Sequence, residues 1–205
     1  LAASAAQAQW TVINLHPAGA SESRAYGTTG TQQVGYAQVS GVSHASSWNG
    51  TVASWVDFHP PGAFLSEATS ISGSQQAGSA IFSGTRRATL WSGAPGSVVD
   101  LHPASMSESH IYCTTGAQQA GFVRNTTGQT RASLWNGTAS SWVNLHPPAL
   151  NDSQAFDTTG VQQAGFAVVG GAWHASRWNG TAASWTDLNP AGASESLAYS
   201  VSGLQ

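Results

Sequence analysis

The sequence predicts an all-β fold, a β-propeller built from four-stranded blades of about 43 residues each. A Leu-His-Pro motif or a close variant recurs with its central residue at His16, His59, His102, His146 and Asn189. A Gln-Gln pair and a later tryptophan keep the same step, at 32–33, 75–76, 118–119 and 162–163 and at Trp48, Trp91, Trp135 and Trp178. Apolar residues do not recur at the helical spacing of 3, 4 and 7. A period of this length indicates stacked supersecondary units that share a core.

The second repeat shows the strand order expected in each unit. A first strand over 66–71 ends in a Ser-Gly turn, a second strand covers 75–82, and a third ends at Trp91. In the other repeats an Asn-Gly pair follows the tryptophan and predicts a tight hairpin into the fourth strand, 54–58 in the first repeat. His59-Pro60 closes that strand because proline cannot extend a ladder. Four antiparallel strands per period favour a propeller blade, and an open β-repeat stack or a solenoid is the alternative.

The chain reads as one repeat domain over 1–205, with partial repeats at its two ends. The complete repeats cover approximately 22–58, 65–101, 108–145 and 152–188, and the partial ones 10–16 and 195–205. The partial repeats supply one fourth strand and one first strand, so a five-bladed propeller with one incomplete blade is expected. Unpaired strand edges associate readily. We therefore expect a homo-oligomer or filament, paired through edge residues Trp10, Val12, Glu195, Leu197, Tyr199 and Val201.

Charge is scarce in this chain. Only 7% of the residues are charged, the formal net charge is -3, and all six basic residues are arginines. Nucleic acid is a poor partner, because phosphate binding needs several clustered cations. The absence of lysine from the sequence excludes a P-loop and a Schiff-base enzyme, and no segment has the roughly 20 apolar residues of a membrane helix.

The amino-terminal residues and Cys113 bear on the compartment. Residues 1–9 resemble either the end of a secretory signal peptide or an alanine-rich extra strand. Cys113 is the sole cysteine, so it forms no disulfide within the chain, and its strand position predicts a buried thiol. These features favour a secreted protein, extracellular or attached to the cell surface.

The recurring residues are interpreted as structural. The periodic tryptophans suit packing between blades, and a ring of sugar-stacking platforms is the alternative. Each corner histidine follows an aspartate or asparagine by two residues, a spacing that puts both side chains on one face of a strand. Hydrogen bonding at the corner is the favoured role, and a shared metal site is the alternative. Because Ser, His and Asp recur in every repeat, they do not form a single catalytic constellation, so we expect no enzyme activity, no cofactor and no metal.

Departures from the repeat are the candidate ligand-binding residues. They include Met106 and His110, and the residues expected to bind are Arg86, Arg87, Arg124, Trp173 and His174. Most of these departures fall between the second and third strands, where a loop on one rim is predicted, and such loops often bind ligands. Trp10 also lies outside the tryptophan pattern and is a candidate surface aromatic.

Three ordered segments of the first repeat carry a family resemblance. They are Ala-Tyr-Gly-Thr-Thr-Gly-Thr-Gln-Gln-Val-Gly-Tyr-Ala (25–37), His-Ala-Ser-Ser-Trp (44–48) and Val-Asp-Phe (56–58). In order and spacing the chain resembles the HAF-type extracellular repeat family, although serine follows His-Ala here and Leu-His-Pro replaces Leu-Gly. The resemblance covers nearly the whole chain and implies an extracellular, propeller-like bacterial protein, with no catalytic residue to carry over.

The sequence thus leads to two functional hypotheses. The first is a non-enzymatic extracellular protein with a structural or adhesive role, self-assembling through its incomplete terminal blades. The second is a multivalent, lectin-like propeller that binds glycans.

Overall fold

A computed structural model describes residues 11–203, whose strands form four antiparallel four-stranded sheets. Sheet 1 contains β1 (Ala20–Thr28), β2 (Gln33–Val39), β3 (Val42–Trp48) and β4 (Val56–Asp57). Sheet 2 contains β5 (Leu65–Ser72), β6 (Gln75–Phe82), β7 (Thr85–Trp91) and β8 (Val99–Asp100). Sheet 3 contains β9 (Glu108–Thr114), β10 (Gln119–Arg124), β11 (Thr130–Trp135) and β12 (Val143–Asn144). Sheet 4 contains β13 (Ser153–Thr158), β14 (Gln163–Val169), β15 (Ala172–Trp178) and β16 (Thr186–Asp187).

Each sheet uses the residues of one repeat and keeps its strands in chain order, which confirms the all-β prediction. Successive sheets pack face to face: β5 contacts β1, β2 and β3, and β9 and β13 contact the preceding sheets in the same way. The only helical segments in the described residues are three short 3₁₀ turns, Val52–Ser54, Ala139–Ser141 and Ala182–Ser184. No helix within residues 11–203 has the length and apolar character needed to cross a membrane.

The second and third strands are joined by turns shorter than predicted. Ser83 and Gly84 connect β6 to β7 with φ angles of 49° and 80°, a left-handed pair that matches the twist of a tight hairpin. Arg86 and Arg87 therefore lie in β7 rather than in a loop. Likewise, Arg124 is the last residue of β10, and Trp173 and His174 lie in β15. The prediction that these residues occupy rim loops was wrong. Two-residue turns join the second and third strands in sheets 2 and 4, and the longer connection of sheet 3, 125–129, begins after Arg124.

The predicted Asn-Gly hairpin into the fourth strand was also wrong. After Asn49-Gly50 the chain enters a 3₁₀ turn, and β4 pairs only Val56 and Asp57 with β3. Ser54 Oγ accepts the Asn49 N–H at 2.7 Å and donates to the Thr51 carbonyl at 2.6 Å. These bonds satisfy the turn internally, so the fourth strand begins late and is short.

The terminal segments do not form the strands predicted for them. Residues 11–17 and 195–203 are described but have no strand assignment, although Ser196 and Ala198 donate backbone hydrogen bonds to sheet 4. The expectations for residues 1–9 and for Trp10 fall outside the described residues, as do the last two positions of the partial repeat at 195–205.

The core lies between sheets, and four of the recurring tryptophans fill it as predicted, whereas Trp55, Trp142 and Trp185 are half-buried. Trp48, Trp91, Trp135 and Trp178 are at most 2% exposed. Trp91 of sheet 2 packs in one cluster with Ala45 and Phe58 of sheet 1 and with Ala68 of its own sheet. Equivalent clusters surround Trp135 and Trp178. At roughly 25 cal/mol per Å² of buried apolar surface, the large indole rings make the main apolar contribution to the packing of one sheet on the next.

Glutamine side chains join neighbouring sheets, and glycines let neighbouring strands of one sheet approach closely. Gln119 Nε2 donates to Gln75 Oε1 at 3.0 Å, and Gln163 Nε2 donates to Gln118 Oε1 at 3.1 Å, so amides link successive sheets. In the second strand of sheet 3, a Cβ on Gly121 would overlap the carbonyl oxygen of His110. Glycine therefore permits the close approach of the first two strands at a β-bulge.

Candidate functional site

The corner histidines hold the chain by three hydrogen bonds each. His59 donates its backbone N–H to Asp57 Oδ1 at 2.8 Å, and its ring contacts Ser66 Oγ at 2.9 Å and the Ala63 carbonyl at 3.1 Å. Ser66 Oγ also accepts the Ala45 N–H of the preceding sheet at 2.9 Å. His102 and His146 repeat this arrangement. The histidine thus ties one sheet to the next, which confirms the structural role predicted for it.

Asn189 reveals the protonation of these rings. At the histidine position of the fourth repeat, Asn189 Nδ2 donates to the Ala193 carbonyl at 3.1 Å while its Oδ1 accepts from Ser196 Oγ. The amide nitrogen of Asn189 can only donate and its oxygen can only accept. The histidines at the equivalent positions therefore donate through Nε2–H and accept at Nδ1. Burial lowers the pKa of His59, His102 and His146, consistent with neutral rings. Within residues 11–203, no group of three His, Cys, Asp or Glu side chains could hold a metal ion.

Two of the predicted ligand-binding residues bond to an aspartate of the fourth strand of their own sheet. Arg87 and His174 occupy the same repeat position, four residues before a buried tryptophan. Arg87 Nη1 lies 2.8 Å from Asp100 Oδ2, and His174 Nδ1 lies 2.8 Å from Asp187 Oδ2. Because each pair joins the third strand to the fourth within one sheet, these residues are separated from the other candidates.

Arg86 and Arg124, by contrast, come together in a cleft between sheets 2 and 3. Arg86 Nη1 donates to Glu67 Oε1 at 2.7 Å, and its Nε lies 3.5 Å from Glu108 Oε1. Arg124 Nη1 reaches the other oxygen of Glu108 at 2.8 Å. Carboxylates and guanidinium groups therefore alternate along the cleft and balance one another.

His110 lies beside this charge network. The cleft, with a volume of about 230 Å³, is lined by Glu67, Arg86, Glu108, His110, Tyr112 and Phe122. The His110 side chain is 6% exposed, and in the described part of the chain its buried Nδ1 has no hydrogen-bond partner. Burial and, secondarily, the neighbouring Arg86 lower the pKa of His110 to about 3. The imidazole is therefore neutral at physiological pH.

Aromatic rings continue from the cleft across sheets 3 and 4. Tyr112 lies 5.8 Å from Phe122 and 5.3 Å from Phe156, measured between ring centroids. Tyr199 stacks on Phe156 at 5.5 Å. Phe166 links Phe156 to Trp173, at 5.6 Å and 5.7 Å. We call this set of six rings the aromatic row; its members Tyr199 and Trp173 are 69% and 47% exposed.

Sequence reasoning identified part of the cleft and missed the rest. His110 stood out as a departure from the repeat, but it was not placed in the predicted site. Glu67, Tyr112 and Phe122 were missed, and the signal of Glu67 and Tyr112 is visible only when first-strand residues are compared between repeats; Phe122 lies in the second strand. Glu67 and His110 share one repeat position, where the other complete repeats carry Arg24 and Gln154.

The predicted assembly edge is partly occupied by the chain itself. Asp157 Oδ2 accepts from Ser200 Oγ at 2.6 Å and from the Val201 N–H at 2.9 Å, so the terminal segment is bound to sheet 4. Leu197 and Val201 are half-buried there, whereas Glu195 and Tyr199 remain exposed. At the other end of the described chain, Val12 is exposed.

Cys113 helps to position the same aspartate. Its thiol donates to Asp157 Oδ1 at 2.9 Å. Burial, followed by this hydrogen bond, raises the pKa of Cys113 to about 12. The thiol therefore stays protonated, which makes it a poor nucleophile.

Comparison with known proteins supports the fold. No protein-family model matches the chain, and no curated protein shows a significant match. Among solved structures, the chain is similar to TolB from Acinetobacter baumannii, with a TM-score of 0.62 and 13% sequence identity. The match covers 84% of this chain and 44% of the TolB chain, so this chain spans less than half the length of that structure. At this identity the likeness shows the fold alone, a β-propeller-like arrangement of repeated sheets.

Proposed function

We propose that this is a non-enzymatic extracellular repeat protein with a structural or adhesive role. In this proposal it is a five-bladed propeller with one incomplete blade, and it assembles with further copies through the sheet faces that the incomplete blade leaves uncovered. The observation that carries the proposal is the environment of Leu188 at the end of the fourth repeat.

Leu188 is exposed where its repeat equivalents are buried. Phe58, Leu101 and Leu145 are at most 1% exposed, because each shares a core cluster with the tryptophan of the following sheet. Leu188 is 45% exposed, and no tryptophan of a following sheet covers it within the described residues. The face of sheet 4 therefore exposes Leu188, which we call the Leu188 slot, at the position that an indole covers in three other places.

The opposite face, on sheet 1, presents the apolar side chains of Val12 and Ile13, whereas its Trp48 is only 2% exposed. Leu15 and Trp48 line a cavity of about 410 Å³ together with Val12 and Ile13. Val12 and Ile13 are largely exposed, although they occupy the place of an outer strand. A second copy that brings this face against the Leu188 slot makes a heterologous contact, which leads to rings or filaments.

Two further features support the non-enzymatic and extracellular parts of the proposal. The recurring Ser-His pairs are used to join sheets, so their geometry is explained without catalysis. Low charge and the absence of lysine agree with the composition of extracellular β proteins, and the resemblance to HAF-type repeats points to the same compartment.

Assembly is tested by light scattering and electron microscopy over a range of concentrations. We expect concentration-dependent oligomers or filaments of the unmodified protein and mostly 21.0 kDa monomers of the Leu188→Asp variant. Phe64→Asp, at an exposed aromatic residue outside both faces, is the matched control and is expected to assemble normally. A monomer at every concentration up to about 1 mM, a typical limit for weak association, overturns the proposal.

Carbohydrate binding is a second candidate, favoured by the aromatic row. Exposed indole and phenol rings stack on the apolar faces of sugars, and Trp173 and Tyr199 are both accessible. A glycan array probed with the unmodified protein and with Trp173→Ala tests this candidate. Saturable binding that weakens in the variant supports it, and the absence of binding to any glycan contradicts it.

A further inference from the structure

We infer that the cleft between sheets 2 and 3 is a binding site for a neutral pyranose ring, with Glu67, Arg86, Glu108 and His110 as its polar contacts. This inference deepens the carbohydrate-binding candidate, on which it rests. It assigns a specific sugar subsite at the end of the aromatic row opposite Trp173.

The balance of charge selects the class of ligand. An anion in the cleft would lie beside Glu67 and Glu108, and a cation would lie beside Arg86. Since each carboxylate is within ion-pair distance of a guanidinium group, neither charge is favoured. A hydroxyl group both donates and accepts, so it can bond to a carboxylate on one side and to a guanidinium group on the other.

His110 supplies an independent indication of a ligand. Buried polar groups in native proteins are nearly always hydrogen-bonded, so an unpartnered one calls for an explanation. The His110 ring lines the cleft and, within residues 11–203, takes part in no hydrogen bond through its enclosed Nδ1. The enclosed Nδ1 is out of reach of the cleft, whereas Nε2 is not enclosed and has no hydrogen bond within residues 11–203, so Nε2 is the nitrogen that can bond to a sugar hydroxyl group.

Aromatic rings complete the arrangement. Tyr112 and Phe122 line the cleft beside His110, with the Tyr112 and His110 rings edge to face at 4.7 Å. Tyr112 Oη donates to Gln154 Oε1 at 2.9 Å, which fixes the orientation of its ring. An apolar wall next to convergent polar groups is the usual composition of a small-molecule site.

The site occurs once among the described repeats. In sheet 1, Glu22 accepts from Tyr36 Oη and from Arg24 Nε, both at 2.7 Å, but Arg24 stands where Glu67 and His110 stand. In sheet 4, Gln154 occupies that position. The Glu22 cluster therefore provides a matched control that shares the carboxylate, guanidinium and phenol but has no buried histidine.

The inference is tested by titrating the protein with the methyl glycosides of glucose, galactose, mannose and xylose. Binding is followed by saturation-transfer NMR and by the His110 imidazole signals in ¹⁵N spectra. We expect one of these neutral glycosides to bind saturably and to shift the His110 signals. Glu67→Gln and His110→Gln are each expected to weaken that binding about tenfold or more, since each removes hydrogen bonds to the sugar, whereas Glu22→Gln leaves it unchanged. Thermal melting identifies any variant that fails to fold, and Glu67→Gln remains informative if His110→Gln does so.

Each possible outcome tests a different part of the proposed sugar site. If Trp173→Ala abolishes sugar binding while Glu67→Gln and His110→Gln retain it, the carbohydrate candidate stands and the cleft assignment is wrong. If methyl glucuronide binds more tightly than the neutral glycosides, the assignment to a neutral ring is wrong. If no glycoside binds with a Kd below about 10 mM, the limit of weak specific binding, both the subsite and the carbohydrate candidate are wrong.

Discussion

Two kinds of histidine in this chain have opposite surroundings. The ring of His102 contacts Ser109 Oγ at 2.8 Å and the Met106 carbonyl at 3.1 Å, so both of its nitrogens are satisfied. His110, eight residues later, is more deeply buried, and its Nδ1 has no partner among residues 11–203. The first recurs in every repeat but the last, where Asn189 substitutes for it, whereas the second occurs once.

The comparison shows how a repeated chain separates structure from recognition. Where the corner histidine recurs, the same ring hydrogen bonds recur with it, and its role is to join neighbouring sheets. Glu67, Arg86 and His110 depart from the repeat and meet in one cleft instead. Periodicity therefore identifies the scaffold, and the departures that meet in a cleft identify the candidate site.

The largest predicted effect contrasts a periodic tryptophan with an aperiodic one. Trp135→Ala is expected to lower the free energy of unfolding by about 3–5 kcal/mol, because it leaves a cavity between sheets 2 and 3. Trp173→Ala, at an exposed position, is expected to cost about 0.5 kcal/mol or less. Urea unfolding of both variants measures the difference, and equal losses would contradict the division into scaffold and surface.

A second variant tests the backbone that supports His110. Gly121→Ala is expected to cost about 1–3 kcal/mol, because the added methyl group overlaps the His110 carbonyl and forces the first two strands of sheet 3 apart. Gly203→Ala, where a Cβ meets no atom within 4 Å, is the control and is expected to be nearly neutral. Thermal melts compare the two, and a neutral Gly121→Ala would show that the close approach is not required.

A third pair of variants tests the corner histidine against its natural substitute. His102→Ala removes two ring hydrogen bonds and is expected to cost about 2 kcal/mol. His102→Asn is expected to recover at least half of this loss, since Asn189 makes the same two bonds in the fourth repeat. If both variants unfold at the same denaturant concentration, the tautomer deduced from Asn189 is wrong.

The smallest predicted effect is on the pH dependence of stability. The folded state lowers the pKa of His110 to about 3, so below pH 6.5 the unfolded chain binds a proton that the folded protein does not. The stability contributed by the neutral ring is complete above pH 6.5 and is lost as the pH falls toward 3. At pH 5.5 the loss is about 1 kcal/mol. His110→Gln is expected to remove this part of the loss of stability in acid. If the free energy of unfolding depends on pH equally in both proteins between pH 7 and 5, the prediction is wrong.

The sequence was sufficient to predict the sheets but not the cleft. Motif spacing located the four strands of each repeat, the buried tryptophans and the corner histidines, because the same local pattern was available several times. It did not reveal the turn after Asn49-Gly50, where the Ser54 hydroxyl competes with hairpin formation. Nor did it bring Arg86 to Glu108, since that contact depends on how adjacent sheets face each other.

The amides that link successive sheets have a consequence for the environments this protein tolerates. The contacts between Gln119 and Gln75 and between Gln163 and Gln118 carry no net charge, and neither do the neutral corner imidazoles. Dissolved ions screen attractions between charges but leave neutral hydrogen bonds almost unaffected. These amide and imidazole links are therefore expected to change little with ionic strength, whereas the Arg86–Glu108 ion pair between sheets 2 and 3 is expected to weaken as salt rises.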